Sequence, residues 1–215
     1  MLFFWYNIFG DFMYTIKEIT TFEHVINKSV FICTLFPIKD NNHANEILKE
    51  VRKKYYDATH NCYAYIYGLN GEYAKNSDDG EPSQTAGIVI YDVLKKNNLT
   101  NVLAVVTRYF GGIKLGAGGL VRAYSSSTSE AVKIAKISVI EKCINILFTT
   151  SYSNYNIVTK VFENYEPIDK SFTEDVNILY QIPEKDLEPL LYKIKDITKN
   201  QIIYKIQDSE YVEMD

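Results

Sequence analysis

Five of the ten glycines in this 215-residue chain fall between Gly111 and Gly119, in TRYFGGIKLGAGGLVRAYS. They follow directly on the apolar run Val102 to Val106 (VLAVV), whose β-branched content reads as a buried strand. From Leu120 onward, apolar residues return at helical spacing: Leu120, Val121, Tyr124, Ala131, Val132 and Ala135. The segment is therefore strand, glycine-dense loop, helix. Glycine lets backbone N–H groups turn toward a guest with no Cβ in the way, and a helix start adds partial positive charge. Arg108, Lys114 and Arg122 add full cationic charge, with the amides of Gly116, Gly118 and Gly119 between them. Such a surface suits phosphate. The spacing is not that of a P-loop, since no Gly-Lys-Ser/Thr follows, and glycines also serve tight turns and close helix–strand packing. Both readings stand at the level of sequence.

A second constellation lies upstream. In DDGEPSQTAG (78–87) the carboxylates Asp78, Asp79 and Glu81 are expected to converge on a turn made by Gly80 and Pro82. Hard oxygen ligands at this density suit Mg²⁺, or the activation of water beside a bound phosphate. Alternatively the acids cap the following helix and pair with Arg108 or Arg122. His60 has the chemistry of a general base, or of a hydrogen-bonded structural residue at a strand start. Tyr109 and Phe110 offer stacking surface if exposed. No CxxC or Cys/His cluster suggests zinc, and Cys33, Cys62 and Cys143 are read as reduced thiols of a cytosolic protein, the first two as small core hydrophobes.

These residues need elements to hold them. Strands are expected at Tyr14–Thr20, Ser29–Phe36, Asn61–Tyr67 and 102–108. A helix capped by Asp40 runs to Lys54, a short helix starts at Ser83 or Thr85 and ends near Leu94, and a long helix covers about 118–135. The order is β-β-α-β-α-β-α, an α+β pattern with its helices on one sheet face. A second pattern follows: strand Val139–Thr149, helix Ser153–Tyr165, strands Ile168–Phe172 and Val176–Ile182, helix Leu187–Ile197 and strand Gln201–Ile206. This βαββαβ order is the ferredoxin-like one. The expected domains are 14–137 and 138–207, with an N-terminal extension at 1–13 and a frayed acidic tail at 208–215. MLFFWYNIFGDFMY lacks a basic n-region and a cleavage site and is too short to span a bilayer. Met13 is the expected natural start.

Net charge is −4 but unevenly divided. Residues 1–137 carry 15 Lys+Arg against 13 Asp+Glu, a balance of +2, and residues 138–215 carry 8 against 14, a balance of −6. A polyanion should therefore meet the first part. The 18 tyrosines follow the Lys, Asn and Ile bias of the whole chain and call for no individual roles.

The blocks ATHNCYAY (58–65), DDGEPSQTAG (78–87) and VVTRYFGGIKLGAGGLVRAYS (105–125), in this order, resemble the signature blocks of the IMPACT/YigZ family. The resemblance covers about residues 14–137, and the βαββαβ tail is similar to the small C-terminal domain of bacterial members. It implies a first domain folded like the second domain of ribosomal protein S5, and a domain pair like the fourth and fifth of the translocation elongation factor. It further implies a cytoplasmic regulator of translation that engages RNA or the ribosome, with no established catalytic residues. On this reading Arg108, Lys114, Gly116, Gly118, Gly119 and Arg122 meet phosphates. An enzyme acting on a phosphorylated small molecule, with Mg²⁺ at Asp78, Asp79 and Glu81, is the alternative, as is a protein-interaction module. The chain departs from the family pattern at Gln84, where glycine is frequent, at Val89, where proline is, and at Val30, where an arginine is expected.

Overall fold

The computed structural model describes residues 13–68 and 71–214. The expected extension at 1–12 lies outside the described residues, and so does part of the turn expected at Gly68–Gly71. What is described is a mixed α+β protein with two five-stranded, largely antiparallel sheets and five helices, and the chain divides into two compact units between Ile140 and Glu141.

In the first unit β1 (Met13–Ile16), β2 (Thr20–Ile26) and β3 (Ser29–Pro37) precede α1 (Asn41–Lys54). Next come β4 (His60–Tyr67), β5 (Tyr73–Ser77), α2 (Gly87–Lys96), β6 (Val102–Tyr109) and α3 (Gly116–Ile134). The main sheet runs in the order β2-β3-β6-β4-β5, every neighbour antiparallel. β6 is central, with Phe31 of β3 on one side of Arg108 and His60 of β4 on the other. β1 pairs with Ile137–Ile140.

The sheet is buried on both faces. Cys62, Ala64 and Ile66 alternate with Tyr63 and Tyr65 along β4, and Val102, Ala104 and Val106 alternate with Leu103 and Val105 along β6. The first set packs against α2 and α3, through Ile90, Leu94, Leu120, Ala123 and Tyr124. The second set packs against Ala44, Leu48 and Val51 of α1. The expected one-faced arrangement is therefore wrong. A continuous apolar run such as β6 marks a strand covered on both sides, and α1 supplies the second cover. Asp40 caps α1, its carboxylate accepting the His43 N–H at 2.9 Å, while Arg52, Lys53 and Lys54 sit favourably at the negative end of its dipole.

In the second unit β7 (Ile137–Thr150), which begins in the first, leads to α4 (Tyr152–Val161), β8 (Pro167–Phe172), β9 (Val176–Pro183), α5 (Glu184–Ile197) and β10 (Ile203–Met214). β9 pairs antiparallel with β7 and β8, and β10 pairs with β7. Ile146, Phe148, Ile178 and Tyr180 meet Val158, Phe162, Leu191 and Ile194 in one core. The expected frayed tail is corrected here. The acidic segment continues β10, and Glu210 accepts hydrogen bonds from Asn145 and Gln181 of neighbouring strands. An acidic, largely exposed strand lacks the apolar alternation that would mark it in the sequence.

Candidate functional site

The described acids do not converge. Asp78 folds back on the start of α2: one carboxylate oxygen accepts the N–H groups of Ala86 and Gly87 at 3.0 and 2.8 Å, and the other accepts that of Gln84 at 2.9 Å. It caps from a distance a helix whose own N-cap residue, Ala86, has no side chain to do so. This tether delays α2 to Gly87, later than the sequence suggests. Asp79 accepts the Asn61 N–H at 2.7 Å and lies 3.6 Å from Arg52. Among the described residues no group of three or more His, Cys, Asp or Glu side chains is positioned to hold a metal ion.

Glu81 turns inward and becomes the hub of a buried network. Its Oε1 accepts from Arg108 Nη1 at 2.6 Å and from the Tyr124 hydroxyl at 2.7 Å. Its Oε2 lies 3.8 Å from His60 Nε2. His60 Nδ1 lies 2.9 Å from the Asp79 carbonyl, which can only accept, so Nδ1 donates there and Nε2 is turned to Glu81. The Cys62 thiol sits 2.9 Å from the Asp78 carbonyl and 3.3 Å from the Tyr124 hydroxyl. Burial pushes that thiol up to about 12, with nearby Glu81, Asp79 and Asp78 adding to the effect against the Tyr124 hydrogen bond. Burial likewise raises the Tyr124 phenol far above its ordinary value, assisted by Cys62 and Glu81, so it remains a donor.

Within the expected phosphate-binding set, Arg108 does not hold the surface position expected of it. It is only 5% exposed, its guanidinium lies between the rings of Phe31 and Phe110 at 5.4 and 5.6 Å, and its charge is met by Glu81. A β6 residue at this position alternates inward with Val106, so the strand directs it beneath the loop. Its Nε is buried without a hydrogen-bond partner.

The remaining members of that set stay at the surface. Lys114 and Arg122 are exposed and have no ion-pair partner among the described residues. Gly116 and Gly118 are exposed and Gly119 is half-buried. Gly116 opens α3 at φ +69° with open space where a Cβ would be, so its backbone conformation, not crowding, favours glycine there. Gly111 is different: a Cβ would meet the Lys28 backbone at 2.0 Å, so this glycine lets the chain leaving β6 pass the β2–β3 turn. The N-terminal turn of α3 has no side-chain cap, leaving its first N–H groups without intrahelical acceptors. Arg122 Nη1 lies 3.6 Å from the position of a Gly118 Cβ, which holds the guanidinium beside that turn.

Two concavities flank the α3 start. One, of ≈ 560 Å³, is lined by Asn27, Gly119, Arg122, Ser125 and Ser126 among others. The other, of ≈ 350 Å³, brings His60, Glu81 and Arg108 together with Lys114, Gly116 and Ala117. The acidic and glycine-rich motifs thus share one pocket wall. Phe110, 47% exposed, lines it, whereas Tyr109 is half-buried and donates to Asp57 at 3.0 Å.

The Impact N-terminal domain model matches residues 27–132, the span that holds all of these groups. A Bacillus subtilis protein named IMPACT family member YvyE is 38% identical over 205 residues, covering 93% of this chain and 93% of its own length. The chain belongs to the IMPACT family. A Haemophilus influenzae IMPACT family member is 28% identical over 194 residues, covering 88% of this chain and 94% of that protein. The human protein IMPACT is 33% identical over 110 residues, covering 47% of this chain and 34% of that protein. A crystal structure described as that of a hypothetical protein matches in fold with a TM-score of 0.60 at 24% identity, covering 94% of this chain and 100% of that one.

Within the family signature blocks, the buried hub joins His60 of the first, Glu81 of the second and Arg108 and Tyr124 of the third. Sequence reasoning passed over Tyr124 as one more apolar position of α3. The available signal was a phenol on a buried stripe, whose hydroxyl has to find a polar partner inside. Among the described residues no helix is long and apolar enough to cross a membrane.

Proposed function

We propose that this IMPACT-family chain is a cytoplasmic, translation-associated regulatory protein whose first unit binds the sugar–phosphate backbone of RNA, free or within the ribosome. The observation that carries the reading is the uncapped start of α3, flanked by Lys114 and Arg122, two exposed cations with no acid partner among the described residues. Helix N–H groups, a planar guanidinium and an ammonium complement phosphate oxygens, and the Asn27, Ser125 and Ser126 side chains beside Arg122 complement ribose hydroxyls. The surplus of cations over acids in residues 1–137 supports the same face, and the commitment of Asp78 and Asp79 to backbone N–H groups favours binding over metal-assisted catalysis. The strand order β10-β7-β9-β8 supports the ferredoxin-like reading of the second unit, and its acidic balance favours the first unit as the RNA-binding one.

Fluorescence anisotropy with a labelled single-stranded RNA tests this. Affinity should fall as salt rises from about 50 to about 200 mM, and Arg122→Ala should flatten the log–log slope by about 0.7, one phosphate contact on a single strand. Binding that ignores both salt and Arg122→Ala refutes the reading.

A further inference from the structure

The smaller pocket is built differently from the open groove beside Arg122. Its floor holds Arg108, a residue only 5% exposed yet not fully used: Nη1 donates to Glu81, while Nε is buried with no hydrogen-bond partner. A buried donor left unpaired is costly, and such a group in a folded protein calls for an explanation. The opposite rim is the uncapped first turn of α3, at Gly116 and Ala117, with exposed Lys114 beside it. Against Arg108 and Lys114 stands one carboxylate, Glu81, which already accepts from Arg108 and Tyr124. His60 Nε2 adds a polar edge to the wall, and Phe110, Pro82 and Leu120 close it with apolar surface.

We propose that this pocket binds a phosphomonoester, received by the Gly116 and Ala117 amides, the Lys114 ammonium and the Arg108 guanidinium. A monoester fits and a chain-internal diester does not, because Arg108 lies below the surface. Only a group with three free oxygens at the end of a molecule can reach down to it while its ester oxygen points out. The ≈ 350 Å³ volume suits a phosphate with the sugar that carries it. The inference deepens the proposed function, resting on it only where the phosphate is taken to be the 5′ end of an RNA. A free phosphate group and an RNA terminus share the same chemistry at the pocket.

The test uses the full chain and three probes: inorganic phosphate, a 5′-phosphorylated oligouridylate and the same oligomer with a 5′-hydroxyl. Phosphate at about 10 mM, the range of a minimal ligand, should shift the Gly116 and Ala117 amide resonances and the Arg108 Nε–H resonance. The 5′-phosphorylated oligomer should bind roughly tenfold more tightly than its 5′-hydroxyl twin, the worth of one or two charge-assisted hydrogen bonds. Ala117→Glu, which sets a carboxylate on the rim of the pocket at a helix start that tolerates acids, should abolish that difference without unfolding the protein. Lys114→Ala should reduce it. If the two oligomers bind equally, the RNA terminus falls as the pocket's occupant and the backbone reading stands. If phosphate shifts these resonances while neither oligomer binds, the pocket stands and the RNA reading falls. No shift with phosphate overturns the inference outright.

Discussion

Removing the charge of Glu81 should destabilise the first unit more than almost any other isosteric change in the chain. The side chains of Glu81 and Arg108 are 3% and 6% exposed, and their Oε1–Nη1 separation is 2.6 Å. Glu81→Gln keeps the volume and leaves an acceptor for Arg108 and Tyr124, but strands a guanidinium in the interior with no countercharge among its neighbours. Breaking a buried pair by losing one partner costs about 3–5 kcal/mol, and the retained hydrogen bonds put this substitution near the lower end, about 3 kcal/mol. Glu81→Ala also orphans the Tyr124 hydroxyl, an additional cost of about 1–3 kcal/mol. Replacing both charges, as Glu81→Gln with Arg108→Met, removes the desolvation burden along with the attraction and leaves Tyr124 its acceptor, so the double variant should be more stable than Glu81→Gln alone, with a coupling energy of about 2 kcal/mol or more. Urea unfolding followed by circular dichroism, with hydrogen exchange of the β6 amides to isolate this unit, measures each corner of the cycle. At about 3–5 °C per kcal/mol for a unit of this size, Glu81→Gln should lower Tm by about 10–15 °C. A Glu81→Gln protein within about 0.5 kcal/mol of the parent, the scatter of an ordinary surface change, would refute the claim that Arg108 depends on Glu81.

Two further outcomes follow from the same neighbourhood. Gln84 occupies the left-handed region at φ +64°, is exposed, and contributes only its backbone N–H to Asp78. Gln84→Gly should therefore relieve about 1–2 kcal/mol of backbone strain, less about 0.5–1 kcal/mol of added unfolded-state freedom, and raise the urea midpoint; a lower midpoint would contradict the argument. Burial raises Cys33 and Cys62 from the ordinary thiol value of 9.0 to about 12, so the folded chain holds two protons that the unfolded chain releases first. Their contribution is intact below pH 9 and is lost as pH climbs toward 12, at about 1.4 kcal/mol per thiol per pH unit. Urea midpoints that fall between pH 8 and pH 10, with a shallower fall in Cys62→Ala, are expected; a flat midpoint in the parent would count against it.

Much of this was legible from local pattern alone. β3, β6, α1 with its Asp40 cap and the long helix α3 follow from apolar period and capping chemistry between near neighbours, which any reader of residues 29–54 and 102–134 can apply. The family blocks also named the residues that meet at the site. Their order along the chain contains nothing, however, about which charge turns inward. Arg108 looks from sequence like a partner for phosphate, equal to Arg122. Whether it meets solvent depends on the alternation of β6 within a sheet covered on both faces, and on Glu81 arriving from a loop 27 residues earlier. Asp78 as the remote cap of α2, β5 as an exposed edge strand and β10 as an acidic one are likewise set by neighbours far away in the chain. Hydrogen bonds and ion pairs across such separations form only once the sheet has assembled, so they leave no periodic trace in the residues that make them.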